Sequence, residues 1–321
     1  MEQKNWVQIK IPPLHQIGIV VKDVQKTADD YWKLLGIGPW AIFTSSSYDQ
    51  TYRGKPAQLS YKVGLAQVGN AELELMETLG GTTTYSDFMA EHGEGAHHLQ
   101  YLVDSVETID MHAEIMARNG FISLMSAHSG SNGGFNYFDT VSALGTIWES
   151  VKMADQFKYP EYKGEPSPAK IKVTAINQVG LVVKDVQRTA DNYFNLLGIG
   201  PWEISELTPP LVHDPMYKGK PCNFTAKVAY ATAGQVQMEL IEPVDGSSIF
   251  KDFLVKHGEG LHHLGFSVDN IGETTQVMHR EGFPTLMSFG LGNANVAYYD
   301  TVGPLKCIWK ALQAPGIHIT H

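Results

Sequence analysis

The chain has 321 residues, 43% of them apolar and 18% charged, with a formal net charge of −10. That balance fits a globular protein with buried cores, excludes a disordered chain, and leaves room for two or three domains. An acidic balance without a Lys/Arg cluster argues against a nucleic-acid or anionic-membrane partner.

Two cysteines, Cys222 and Cys307, form no CxxC pair, so neither a disulfide framework nor a zinc ribbon is expected. No apolar leader and no run of about 18 apolar residues occurs. The expectation is a soluble, cytoplasmic protein.

In chain order, residues 15–21 alternate into a strand, and 24–34 carry helical spacing stopped by Gly36. Strands are predicted over 40–44, 58–67 and 71–77. A glycine turn, Gly93-Glu94-Gly95, leads into a strand over 98–103. A helix over 106–119 stops at Gly120, and strands over 122–125, 134–139 and 146–151 follow. The order strand, helix, three strands thus occurs twice.

The whole pattern then repeats. Gln16-Ile17-Gly18-Ile19-Val20-Val21-Lys22-Asp23 returns as Gln178-Val179-Gly180-Leu181-Val182-Val183-Lys184-Asp185. Gly93-Glu94-Gly95-Ala96-His97-His98-Leu99 returns as Gly258-Glu259-Gly260-Leu261-His262-His263-Leu264. A period of about 160 residues is one domain per copy. The expected organisation is a domain over 1–155, a Pro/Gly-marked connector over 156–170 and a second domain over 171–321. Four copies of a βαβββ unit with curved mixed sheets make an α+β protein.

Equivalent positions of two pseudo-symmetric units can converge on one axis. His15 and His98 start the first strands of the two units in the first half, and Glu74 and Glu149 lie in their last strands. Together they suit a divalent metal with two positions left for substrate or water. The second half keeps Glu239 and His263 but has Asn177 for His15 and Lys310 for Glu149. Its site is expected to be degenerate, because an ammonium opposes a divalent cation. Pairing the units across the halves would damage both sites, whereas pairing within the first half leaves one intact. His97 and His262 read either as residues that support the ligands from behind or as simple sheet-edge side chains, the second reading being favoured.

This arrangement resembles the vicinal oxygen chelate superfamily, which includes glyoxalase I, methylmalonyl-CoA epimerase, extradiol dioxygenases and bleomycin-resistance proteins. The nearest look is to the epimerase and glyoxalase branch, through His15 with Val20-Val21-Lys22-Asp23 and Gly95-Ala96-His97-His98 with Val103-Asp104. The resemblance implies His15, Glu74, His98 and Glu149 as ligands of one divalent metal: Mn, Co, Ni, Zn or Fe. It also implies an isomerase or epimerase that abstracts a proton next to a carbonyl, with the enolate stabilised by the metal. Glu74 or Glu149 would serve as base. In the epimerase a glutamate acts from about the place of Lys62. Here the lysine is a base of lowered pKa, a binder of a substrate anion, or a side chain that snorkels to solvent. The alternatives are an extradiol-type dioxygenase, a glyoxalase-like lyase, or a non-catalytic binding protein. The expected partner is a small-molecule carbonyl substrate, with no nucleic acid or membrane, and the chain as a monomer or homodimer.

Overall fold

The computed structural model describes residues 6–45, 48–130, 132–155, 158 and 166–314. The first half contains β1 (Leu14–Val20), α1 (Val24–Leu35), β2 (Ala41–Ser45), β3 (Tyr48–Tyr52), β4 (Lys55–Pro56), β5 (Ser60–Val68) and β6 (Ala71–Gly80). It continues with α2 (Thr84–His92), β7 (Gly95–Leu102), α3 (Val106–Arg118), β8 (Ser123–His128), β9 (Gly134–Phe138), α4 (Val141–Leu144) and β10 (Ile147–Lys152). The second half repeats this order: β11 (Gln178–Val182), α5 (Val186–Leu197), β12 (Glu203–Leu207), β13 (Val212–Tyr217), β14 (Lys220–Pro221), β15 (Phe224–Ala233) and β16 (Val236–Gly246). It ends with α6 (Ile249–His257), β17 (Gly260–Ser267), α7 (Ile271–Arg280), β18 (Thr285–Leu291), β19 (Ala294–Tyr299), α8 (Val302–Leu305) and β20 (Ile308–Gln313).

Local chemistry explains the helices. The Asp23 carboxylate accepts from the Lys26 amide at 2.9 Å and starts α1. Gly36, at φ 68°, ends it in the left-handed conformation that glycine adopts without strain. Val24, Ala28, Tyr31 and Leu35 recur at helical spacing and are buried. Asp185 and Gly198 do the same for α5.

Each half forms one ten-stranded mixed sheet. The order in the first is β2-β5-β6-β1-β7-β10-β9-β8-β3-β4, and the second repeats it. Strand alternation sorts side chains onto two faces. Ile17, Ile19, Leu73, Leu75, Leu99 and Trp148 join the large core that runs through both halves. Val20, Tyr61, Val63, Leu65, Met76 and Tyr137 form a separate cluster on the inner face of the curled sheet.

The helix α2 and the hairpin β3/β4 are absent from the sequence expectation. Strand β3 leaves the first unit and pairs with β8 of the second, a non-local contact that periodicity does not reveal. Most of the expected connector, 156–170, lies outside the described residues. The halves lock together reciprocally: the Tyr31 hydroxyl donates to the Leu305 carbonyl at 2.7 Å, and the Tyr193 hydroxyl to the Leu144 carbonyl at 2.9 Å. Each such buried bond contributes about 1 kcal/mol. Among the described residues, no helix is long and apolar enough to cross a membrane.

Candidate metal centre

Strand register positions the site. Gly18 lies opposite Glu74 in the parallel β1–β6 pair and opposite His98 in the antiparallel β1–β7 pair. Gln100 lies opposite Glu149 in the parallel β7–β10 pair, and opposite Gln16 in β1. A pseudo-twofold axis between β1 and β7 therefore relates Glu74 to Glu149, Gly18 to Gln100, and Gln16 to His98. The glycine is required: a Cβ at Gly18 would lie 1.9 Å from Cε1 of the His98 ring. Gly180 stands in the same relation to His263.

Glu74, His98 and Glu149 each place a ligand atom within 4.8 Å of the others. His98 Nε2 is 3.2 Å from Glu149 Oε2 and 3.4 Å from Glu74 Oε2. All three come from the first half, as pairing within that half requires.

His15 does not join them. The β1–β7 ladder has a bulge between Leu14 and Gln16, which leaves His15 as the extra residue. Its Nε2 is 4.0 Å from Glu72 Oε1, and its side chain is 23% exposed. The site-facing residue of β1 is Gln16, which is buried and donates to the Glu72 carboxylate. Gln16 escaped the sequence reading, although a signal was present: the repeat keeps glutamine at 16 and 178 while His15 becomes Asn177.

Lys62 is also elsewhere. Its Nζ lies 3.2 Å from Glu77 Oε2, an oxygen that also accepts from the Val24 amide at the start of α1. Alternation sends Tyr61 and Val63 to the inner face and Lys62 to the helix side.

The second half tests whether this cradle suits a cation. Lys310 Nζ donates to Gln178 Oε1 at 2.7 Å and to Glu239 Oε2 at 3.0 Å. His263 Nε2 lies 3.1 Å from the same Glu239 oxygen, and the Tyr230 hydroxyl donates to Glu239 Oε1 at 2.9 Å. An ammonium thus sits among Gln178, Glu239 and His263. In the first half Gln16, Glu74 and His98 stand in their places and a carboxylate replaces the lysine. There His98 Nε2 and Glu74 Oε2 are buried with no hydrogen-bond partner among the described residues. The donor set fits a divalent cation.

Burial pushes the Glu149 carboxyl up to about 7, against the opposing pull of His98. Burial lowers the His98 imidazolium, but Glu149 and Glu74 beside it outweigh this and hold it at about 9. His97, buried next to His98, is driven well below the ordinary histidine value by desolvation and by that neighbour. Tyr61, Tyr85, Phe135 and Tyr137 stack edge to face beside the cluster. A separate cavity of about 800 Å³ lies between the halves, with Thr84, Phe88, His97, Ile249, Phe253 and His262 in its wall.

The model of the glyoxalase/bleomycin resistance protein/dioxygenase superfamily matches residues 15–138 and again 177–298. The chain belongs to this superfamily, in two tandem copies. Mouse mitochondrial methylmalonyl-CoA epimerase is 25% identical over 141 residues, 44% of this chain and 71% of the epimerase. The human epimerase is 28% identical over 112 residues, 35% of this chain and 56% of that protein. A mutant of 4-hydroxymandelate synthase from Streptomyces coelicolor shares the fold across both halves, with a TM-score of 0.62 at 14% identity, covering 97% of this chain and 95% of that one. Relatives of the chain are thus enzymes, and members of the superfamily use divalent metals.

Proposed function

We propose that the first half is a divalent-metal centre that moves a proton next to a substrate carbonyl, as an isomerase or epimerase does. The observation that carries this reading is a buried pair of carboxylates, Glu74 and Glu149, related by the pseudo-twofold axis and both within reach of His98 Nε2. Gln16, Glu74, His98 and Glu149 would hold the ion. When bound, a divalent cation supplies Lewis acidity to the carbonyl oxygen of a substrate.

Glu149 takes the proton from the adjacent C–H and keeps it at a carboxylate oxygen. Glu74 faces the same point from the dyad-related side. Removal by one carboxylate and return by the other inverts the carbon, which is epimerisation. Return by the same group to a neighbouring carbon is isomerisation. The aromatic wall of Tyr61, Tyr85, Phe135 and Tyr137 excludes water from the exchange. The epimerases among the relatives support this choice. The substrate is then a small carbonyl compound with an acidic C–H. The second reading is an extradiol-type oxygenase; a two-histidine, one-carboxylate iron site would need a second histidine, and among the described residues the cluster has His98 as its one histidine.

Metal analysis of the full chain tests the reading. About one equivalent of divalent metal is expected in the wild type and none in His98→Ala, in keeping with one complete ligand set per chain. The loaded wild type is then expected to exchange solvent deuterium into a carbonyl substrate, and Glu149→Gln to keep metal but lose exchange. A wild type that takes up no Mn, Co, Ni or Zn overturns it.

A further inference from the structure

The two halves share a pair of adjacent buried histidines but differ in what the outer one meets. In the first half His97 Nδ1 lies 3.1 Å from His98 Nδ1, and His97 Nε2 lies 3.2 Å from the Thr84 hydroxyl. In the second half His262 Nδ1 lies 3.1 Å from His263 Nδ1. The residue equivalent to Thr84, the first of its helix, is Ile249. His262 Nε2 is accordingly buried with no hydrogen-bond partner among the described residues.

A contact between two imidazole nitrogens needs one proton, so one ring donates and the other accepts. A histidine that presents Nε2 to a cation carries its proton on Nδ1. His98 must then donate to His97 Nδ1, which leaves the His97 proton on Nε2, and that N–H requires an acceptor. Thr84 Oγ1 supplies it. The same direction in the second half would bury the His262 Nε2–H without an acceptor, an unfavourable arrangement for a desolvated donor. The reverse direction also leaves His262 Nε2 unpaired among the described residues, as a lone pair, but it places a proton on His263 Nε2, where acceptors stand. There His262 Nδ1–H donates to His263 Nδ1, and His263 Nε2–H faces the oxygens of Glu239 and Gln178, 3.1 and 3.4 Å away.

We propose that Thr84 and His97 are positioning residues that fix His98 as the Nδ1–H tautomer and so turn its Nε2 toward a cation, while Ile249 fixes His263 in the opposite tautomer. The relay runs outward in the half with Glu149 and inward in the half with Lys310. Thr84, at the wall of the cavity between the halves, is its outer end. This inference rests on the reading that His98 binds metal through Nε2.

The test is nitrogen-15 imidazole spectroscopy on the full chain at pH 7, metal-free and zinc-loaded, beside zinc affinity by competition with a chelator. The expected spectrum has the His97 proton on Nε2 and the His262 proton on Nδ1. Thr84→Ile is expected to move the His97 proton to Nδ1 and weaken zinc binding roughly ten- to a hundredfold, and Thr84→Ser to restore both. Ile249→Thr, which reads the same relay from the other half, is expected to move the His262 proton to Nε2 even if Thr84→Ile does not fold. Identical tautomers at His97 and His262, or wild-type zinc affinity in folded Thr84→Ile, would overturn the proposal. A wild type that binds no zinc but shows the two opposite tautomers removes the metal reading and upholds the relay.

Discussion

Replacing Lys310 with methionine gives a stability change whose size and pH dependence follow from the second half. Lys310 and Glu239 expose 4% and 2% of their side chains, so solvent screens their attraction little. Removing one member of a buried pair strands the other, at a cost of about 3–5 kcal/mol. For a unit of domain size that is roughly 6–20 °C in Tm. Burial pushes the Glu239 carboxyl up, but Lys310 and His263 overcome this and hold it well below the usual carboxylate range. A depressed carboxylate contributes stability above its unfolded value of about 4.5, and that stability is lost as pH falls through the folded value. Without the ammonium, burial dominates and the carboxyl is raised instead. The deficit of Lys310→Met is therefore largest at pH 8 and shrinks toward pH 4–5. Thermal unfolding followed by circular dichroism at both ends of that range measures it. The double variant Lys310→Met/Glu239→Gln should recover much of the loss at pH 8, because it removes the stranded charge. A deficit below about 0.5 kcal/mol at both pH values would refute the reasoning, since it would mean the pair is not desolvated.

Lys310→Glu rebuilds in the second half the donor types of the first: Gln178, Glu239, His263 and a new carboxylate. It is expected to be less stable than wild type without metal, and to raise zinc uptake by about one equivalent per chain, measured by metal analysis. Gly18→Ala places a methyl 1.9 Å from the His98 ring. Displacing that ring should cost about 1–3 kcal/mol and lower metal occupancy, read by thermal unfolding and metal content, whereas alanine at the open position Gly54, with nothing within 4 Å of its added Cβ, should leave metal occupancy unchanged. In chelated protein, Glu149 is raised to about 7 and His98 to about 9. Both folded forms hold their protons more tightly than the unfolded chain. Stability should fall through Glu149 from pH 4.5 to about 7 and through His98 from 6.5 to about 9. A flat or rising Tm over that range in chelated protein would contradict this.

The duplication, the βαβββ order and the convergence of Glu74, His98 and Glu149 were legible in the sequence, because repeats and alternation are local signals. The position of His15 was not. One bulged residue between Leu14 and Gln16 shifts which side chain of β1 faces the site, and a bulge leaves no periodic mark. Lys62 failed for a related reason. Alternation correctly set it opposite Tyr61, but which face was inner depended on β5 pairing with β6 and on α1 covering the other side. Lys310 was legible as an intruder, yet its two hydrogen bonds, which turn an apparent defect into an internal counter-ion, needed coordinates.

Tyr31 and Tyr193 reach across to opposite halves in matching ways, the contact expected of two identical subunits meeting on a twofold axis. In such a dimer every substitution appears twice, so a lysine in one ligand set would also enter the other and abolish both. Joining the copies in one chain frees them from that constraint. The two halves can then diverge residue by residue, as Glu149 against Lys310 and Thr84 against Ile249 record.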